Sequence, residues 1–286
     1  MSETAIIVDS IACIPGDRLD DLRISMVPAN ILFNGSVYRD VIDLTSAQAY
    51  RFIDEAPEFW KSSAASPEDF AATYRELSAG YRNILVITIS AKLTMFYDSA
   101  SAAREIVQRE LPSTRIEVLD SETAAAAEGL IALAAARAAK EGKTFEEVMA
   151  IAREVRERVR FIGLLETIRH VYRTGRIPKL ASRIGSSLSL KPILTDGDGV
   201  IRFAGAARTK RSGVEKMLSM MGEHAGHSDP IHVAVMHADA VEEARMLRDR
   251  VAAEFNCVEL FVTDFSPIMA YATGRGTLAL AFYKGT

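Results

Sequence analysis

The stretch ILVITI, residues 84–89, is apolar at every position but Thr88 and gives way to Ser90. Continuous rather than alternating hydrophobicity describes a strand covered on both faces, as in a parallel sheet. Two more runs rich in Ile, Val and Leu share the pattern, AIIV at 5–8 and IEVL at 116–119. Helical patterns separate the last two runs and follow the third. From Pro67 to Ala79, Pro67 holds a first-turn position and Ser66 is a candidate N-cap with Asp69 after it. Phe70, Tyr74 and Leu77 then fall on one face. From Thr94 to Leu111, the residues Phe96, Ala100, Ala103 and Val107 make a similar stripe. Thr144 with Glu147 is a capping-box signature, followed by Phe145, Val148, Ala152, Val155 and Val159 on one side, with Glu154 and Arg158 paired on the other. Strands alternating with helices predict an α/β unit over residues 1–158, a Rossmann-like parallel sheet with helices on both faces.

The second half has a different rhythm. KPILTDGDGVIRFAGAAR, residues 191–208, is two β-like runs around an Asp-Gly-Asp-Gly turn and predicts a hairpin. A helix pattern runs from about Ser212 to His224, and the segment 226–230 is a loop. A strand (Ile231 to Met236), a helix (Val241 to Phe255), a strand (Val258 to Thr263) and a β-rich run up to Tyr283 complete the chain. This predicts a C-terminal α/β domain with a mixed sheet over 159–286. The length agrees, since 286 residues make about two domains at roughly 150 residues each. A cleft between two touching domains is the default ligand site.

Composition narrows the function classes. Apolar residues make up 49 % of the chain, and 34 Lys+Arg against 38 Asp+Glu give a net charge of −4. A whole-chain nucleic-acid binder needs a basic excess to displace counterions, so no nucleic acid is expected. The N-terminus MSETAIIVDS has no basic region and no apolar stretch of signal-peptide length. The Ala-rich segment from Ala124 to Ala139 is interrupted by Glu128, Gly129 and Arg137, and no membrane span is expected. A soluble cytoplasmic protein is the default. Cys13 and Cys257 stand far apart without a CxxC pair and are expected to be small apolar residues.

Few residues carry a catalytic pattern. Gly274, Gly276 and Ala279 fit G-x-G-x-x-A, but too little chain follows for a dinucleotide fold. The five histidines lack metal-ligand spacing, so no metal and no cofactor are expected. Asp9, Asp40 and Asp43 could form a carboxylate cluster, with Asp9 ending the first strand, where α/β ligand sites gather. The plainer reading is that they cap turns through their own backbone. A hydrolase or transferase using these three carboxylates in the cleft is the alternative function.

Eight strings, in order, carry a resemblance. They are IIVDSIACIP (6–15), VYRDVID (37–43), KSSAASP (61–67), ITISAKLTMFYDSA (87–100), LDSETAAAAEGL (119–130), LLETIRHVYRTGRIPKLASRIGSSLSLKPIL (164–194), AARTK (206–210) and YATGRGTLALAF (271–282). Together they resemble the DegV family of fatty-acid-binding proteins. The resemblance implies a two-domain α/β protein that holds one long-chain fatty acid in a tunnel between the domains. It implies no catalysis by the protein itself, and presentation of the lipid to a dihydroxyacetone-kinase-like fatty acid kinase that makes an acyl phosphate for phospholipid synthesis. The two hydroxyls that grip the carboxylate in the family fall here on Ser62 and Thr94, with Ser63 beside them. The chemistry agrees, because a carboxylate leaving water must be hydrogen-bonded. Ser62 precedes one predicted helix start and Thr94 sits at another, and helix N-termini present unpaired N–H groups to anions. On the plainer reading, Thr94 is an N-cap and Ser62 a loop hydroxyl.

Two departures stand out. The family histidine of the head-group network is replaced by Ala272, and Tyr271, Arg275 or a water is expected to substitute. The family's small Gly-Thr pair is Met95-Phe96, which either narrows the head-group region or packs in the helix's core face. A basic segment, Arg169, Arg173, Arg176, Lys179 and Arg183, is followed by Arg208, Lys210 and Arg211. The resemblance puts Arg176 and Arg208 near the carboxylate end and the kinase-facing surface, where a basic rim can steer an acidic partner. A transient touch on a membrane surface would suit the same rim.

Overall fold

The computed structural model describes residues 3–175 and 190–285. The three apolar runs are strands β1 (Thr4–Asp9), β6 (Asn83–Thr88) and β7 (Arg115–Asp120). With β2 (Ile24–Val27) they form an all-parallel sheet in the order β2-β1-β6-β7. Side chains alternate between two cores, as the two-residue repeat of a strand requires. Ile7, Ile84 and Val86 meet Phe70 and Tyr74 of α3 (Pro67–Ser78) and Phe96 of α4 (Phe96–Val107). Ile6, Val8, Leu85 and Ile87 lie in the core shared with α5 (Ala126–Lys140), which α1 (Gly16–Leu22) also contacts. Helices thus cover both faces.

Helix α5 explains its own composition. Thirteen of its 15 residues are buried, because it lies between the parallel sheet and a second sheet and touches strands of both. A helix apolar all round is a buried helix, and small Ala side chains let both sheets approach. Gly129 is the extreme case, since a Cβ there would come within 2.4 Å of the Ala12 carbonyl oxygen. Helix α6 (Phe145–Arg158) packs along α5 and starts at the expected Thr144–Glu147 capping box.

The second sheet holds β8 (Arg160–Leu164), β9 (Lys191–Gly197), β10 (Val200–Ala207), β11 (Ile231–His237), β12 (Cys257–Asp264) and β13 (Leu278–Lys284). Their order is β10-β9-β8-β13-β11-β12, mixed as expected, with β11–β12 parallel and the other pairs antiparallel. One face packs on α8 (Lys210–Ala225) and α9 (Val241–Glu254) through residues such as Met217, Met221, Leu247 and Val251. Phe161, Ala279 and Ala281 on the other face share the core of α5. The β9–β10 hairpin turns at Asp198 (φ 52°) and Gly199 (φ 75°), the two left-handed positions of a primed turn. Its tip reaches the first sheet, where Ser90 Oγ donates to the Gly199 carbonyl and Lys92 Nζ to that of Asp198, both at 2.7 Å.

Two regions differ from the sequence expectation. Between β2 and β6 the chain forms a small antiparallel sheet of β3 (Asn30–Phe33), β4 (Ser36–Arg39) and β5 (Lys61–Ser63), with α2 (Ser46–Glu55) crossing between β4 and β5. These strands are too short for alternation to stand out. Before β13, the run expected to be β-rich begins with a helix, α10 (Pro267–Thr273), capped by Ser266. The Gly274-x-Gly276 string therefore links a helix to a following strand, the reverse of the strand-to-helix order a dinucleotide site needs. A short helix, α7 (Arg169–Arg173), follows β8. Among the described residues no helix is long and apolar enough to cross a membrane.

Candidate functional site

The site lies at a switch point of the parallel sheet. After β1 the chain turns to the α5 side, through α1, and after β6 it turns to the opposite side, through α4. The ends of β1 and β6 thus diverge, and ligand sites of open α/β sheets gather in that crevice. A cavity of about 470 Å³ spans from this crevice to the second sheet, within the usual range of roughly 300–1,000 Å³ for small-molecule sites. Ile11, Ile89 and Leu93 border it on one side, and Phe161, Leu165 and Leu194 on the other. Leu165, Val171 and Leu194 form an apolar cluster apart from the three larger cores, with Ile201 packed on it, and all four line the cavity. An apolar satellite cluster beside a cavity is a ready wall for an apolar ligand.

Ser62 and Thr94 mark the end of that wall. Both border the apolar cavity and also a neighbouring one of about 620 Å³. The neighbour adds Ser63, Ser66, Lys92 and Ser99 to its lining beside alanines, Met95 and Phe96, so further hydroxyls gather near Ser62 and Thr94 on a wall that stays largely apolar. Ser62 is exposed on β5, an edge strand, opposite Ile31 of β3. It is not at a helix start, because Ser66 caps α3 through a capping box with Asp69. Thr94 is half-buried in the loop after β6, and its hydroxyl accepts from the Phe96 N–H at 3.3 Å. The N-cap of α4 is Met95 rather than Thr94. Phe96 is 1 % exposed and meets Phe70 edge-on, while Met95 is exposed and borders the neighbouring cavity. The Met95-Phe96 departure therefore splits between a surface position and the core.

The three carboxylates do not form one cluster, and none of them lines either cavity. Asp9 is fully buried and accepts from the main-chain N–H groups of Ile11 and Ile89, each at 2.9 Å. It thereby ties the diverging ends of β1 and β6 together, and burial pushes its pKa up to about 7. Asp40 is buried as well; it accepts from Ser10 Oγ at 2.7 Å and from the Ile268 N–H of α10 at 3.2 Å, and burial pushes it to about 6. Asp43 is exposed and pairs in two prongs with Arg39, whose hydrogen bond holds it down at about 2. In place of the alternative catalytic cluster stand two structural ties and a surface ion pair, close to the plainer reading of backbone-capping carboxylates. Among the described residues no group of three or more acidic, His or Cys side chains is placed to hold a metal ion.

Asp40 yields a direct expectation. Asp40→Ala strands the buried Ser10 hydroxyl and the Ile268 N–H, at roughly 1–3 kcal/mol for each unsatisfied group. Chemical denaturation should show a loss of about 2–6 kcal/mol on that basis. An unchanged midpoint would mean that water replaces the carboxylate.

The replacements expected for the family histidine are placed unequally. Ala272 and Tyr271 line the cavity. The Tyr271 ring stacks on Trp60 at 5.0 Å and lies under the Arg173 guanidinium at 4.2 Å. Its hydroxyl is turned to the Pro57 carbonyl, at 3.4 Å. Arg275 is held elsewhere, by Asp54 at 2.6 Å and Asp239 at 2.5 Å, with its guanidinium over Tyr50. Arg208 is exposed in the turn between β10 and α8 and lines neither cavity. Arg176, Lys179 and Arg183 lie outside the described residues. The Trp60–Tyr271–Arg173 stack was not anticipated. Its members come from three distant segments; Arg173 stood out in sequence as one of a basic run and Tyr271 as a candidate for the head group, whereas nothing marked Trp60.

Similar proteins extend over the same length. In curated relatives, the protein DegV of Bacillus subtilis is 28 % identical over 279 residues, covering 97 % of this chain and 98 % of that one. A DegV domain-containing protein of Caldanaerobacter subterraneus is 30 % identical over 242 residues, 85 % of each chain. Among solved structures, a DegV family protein from Thermus thermophilus, described for its fatty acid binding, superposes with a TM-score of 0.90 at 29 % identity over 100 % of both chains. DegV from Bacillus subtilis, described as a fatty acid binding protein, superposes with a TM-score of 0.89 at 26 % identity, also over 100 % of both. The family model described as "Uncharacterised protein, DegV family" matches residues 3–285, so its pattern takes in all three sheets and every wall of the cavity: this chain belongs to the DegV family.

Proposed function

We propose that this protein is a carrier that buries one long-chain fatty acid in the apolar cavity with its carboxylate at Ser62 and Thr94. One observation carries the reading: Ser62 and Thr94 stand where a largely apolar cavity meets a second one whose lining adds the hydroxyls of Ser63, Ser66 and Ser99. An amphiphile with a long tail and one small anionic head matches that arrangement. The Thermus and Bacillus relatives described for fatty acid binding, at 29 % and 26 % identity, support the same ligand class here. Ser62 and Thr94 donate hydroxyl hydrogens to the carboxylate, and the start of α4 adds main-chain N–H groups and the favourable end of its dipole. Ser63, beside them in the neighbouring cavity, supplies a further hydroxyl. The chain divides into an N-terminal unit of residues 1–158 and a C-terminal unit of 159–286, with the lipid between them.

In this reading the protein performs no chemistry of its own. It presents the carboxylate in the cytoplasm to a separate fatty acid kinase, which converts it to an acyl phosphate; Arg208, exposed before α8, and by the family resemblance Arg176, which lies outside the described residues, are assigned to the contact with that enzyme. Organic extraction followed by mass spectrometry tests the ligand class. Purified protein, or protein incubated with a fatty-acid mixture and then washed, should release long-chain fatty acid close to one per chain. Release of none in either preparation overturns the proposal.

A further inference from the structure

The apolar wall contains one residue without a side chain. Phe161, Gly163 and Leu165 follow one another along one face of β8 and its continuation, and all three line the cavity. The intervening Ile162 and Leu164 face the core on the opposite side of the sheet. Gly163 sits in the sheet interior, opposite Leu194 of β9 and Ala279 of β13. Glycine in a strand interior weakens it, and such a glycine often marks a close approach of a neighbour or a ligand. Backbone conformation does not call for glycine here, because residue 163 is not among the positions with positive φ. Space is tight on one side: a Cβ at 163 would lie 3.2 Å from two carbons of the Phe161 ring, which would have to give by a few tenths of an ångström, and in ordinary contact with Leu165 at 3.7 Å. The Phe161 ring leans over the bare glycine, and the volume above both belongs to the cavity.

The position along the cavity matters as much as the space. Gly163 and Phe161 border only the apolar cavity, whereas Ser62 and Thr94 border both. The glycine therefore lies in the part that does not border the neighbouring cavity, where the tail of a ligand anchored at Ser62 and Thr94 must run. We propose that Gly163 is the specificity-determining residue for acyl-chain length, by letting the Phe161 ring lie flat and leaving room for the distal methylenes. This rests on the fatty-acid reading above. A side chain at 163 both fills that room and lifts the Phe161 ring into it.

The test is a chain-length series. Affinities for saturated fatty acids of 12, 14, 16 and 18 carbons are measured for the natural protein, Gly163→Ala, Gly163→Val and the double variant Gly163→Val/Phe161→Ala, with thermal unfolding recorded for each. Expected is a loss of at least tenfold for the longest acid bound by the natural protein, graded from Ala to Val. The shortest acid that it binds should change by less than threefold. Removing the displaced ring in the double variant should restore the long acids. Equal losses at every length, or no loss in Gly163→Val, overturn the proposal. If Gly163→Val does not fold, Gly163→Ala and the double variant decide by the same criteria. Failure of the natural protein to bind any of the four acids would be a failure of the fatty-acid reading itself, and is seen before any variant is compared.

Discussion

Replacing Ser62 with Ala and Thr94 with Val together lowers fatty-acid affinity about a hundredfold or more and leaves the chain folded. A hydrogen bond to a charged group contributes roughly 1.5–3 kcal/mol, so two of them amount to about two to four decades of affinity. The expectation sits at the lower end because main-chain N–H groups near the start of α4 remain. Folding should be unaffected. Ser62 is exposed, and the one side-chain bond of Thr94 is the long 3.3 Å contact to Phe96. The tail is untouched. Burying a methylene is worth about 0.8 kcal/mol, so about 14 of them give a gross term near 11 kcal/mol, from which the cost of immobilising the ligand is taken. The double variant should therefore still bind, and a methyl ester of the same acid makes the distinction sharp. Its head carries no charge, so its affinity should differ little between the natural and variant proteins. A loss for the ester as large as for the acid would mean that the two hydroxyls shape the wall rather than hold the head, and this assignment would be wrong.

The sequence made the large elements legible because each carries a repeat. The runs at 5–8, 84–89 and 116–119 became three neighbouring parallel strands, and the capping boxes at Ser66 and Thr144 start α3 and α6 where they were placed. The hairpin at 191–207 announced itself through Asp198 and Gly199. What sequence hid was set by tertiary contact. The strands β3, β4 and β5 are three or four residues long, and such segments show no periodicity. Their order is imposed by packing, with Ile31 and Phe33 turned inward beneath Tyr50 and Trp60. Ser62 and Thr94 were named through family strings, not through any repeat, and the fold lets both border the same two cavities. Spacing left the carboxylates open between a cluster and backbone caps, because it cannot show direction. Asp40 and Asp43 are three residues apart, yet one is buried under α10 and the other faces solvent with Arg39. Arg275 was left open in the same way, close in sequence to Tyr271 but turned to Asp54 and Asp239.

Replacing Glu128 with Met should stabilise the protein, and more so at pH 8 than at pH 5. Glu128 lies in the first turn of α5 with no exposed surface. Neither carboxyl oxygen makes a hydrogen bond of normal geometry, although the Asp9 main chain is near enough to favour the charged form weakly. Burial and the neighbouring charges of Asp9 and Asp120 push its pKa well above the usual carboxylate value. A raised acid pKa means that the folded state holds a proton which the unfolded state releases. Its contribution is neutral below the unfolded value of 4.5. Above it, folding stability falls as pH rises, until the folded pKa is passed. Asp9 behaves alike, and its displacement from 3.8 to about 7 corresponds to roughly 4 kcal/mol lost across that window. Glu128 lacks the two main-chain donors that favour the charged form of Asp9, so its slope should extend to higher pH. Methionine fills a similar volume without a polar atom, and replacing an unpaired buried polar group in this way is worth about 1–3 kcal/mol even before titration is considered. Denaturant midpoints at pH 5 and pH 8 should therefore drop for the natural protein and drop less for Glu128→Met. Parallel drops would mean that Glu128 does not release a proton on unfolding. The lipid measurement adds the functional half. Glu128 borders neither cavity, so a more stable variant with unchanged fatty-acid affinity would make this carboxyl a stability cost at the helix both sheets share, separate from the lipid site.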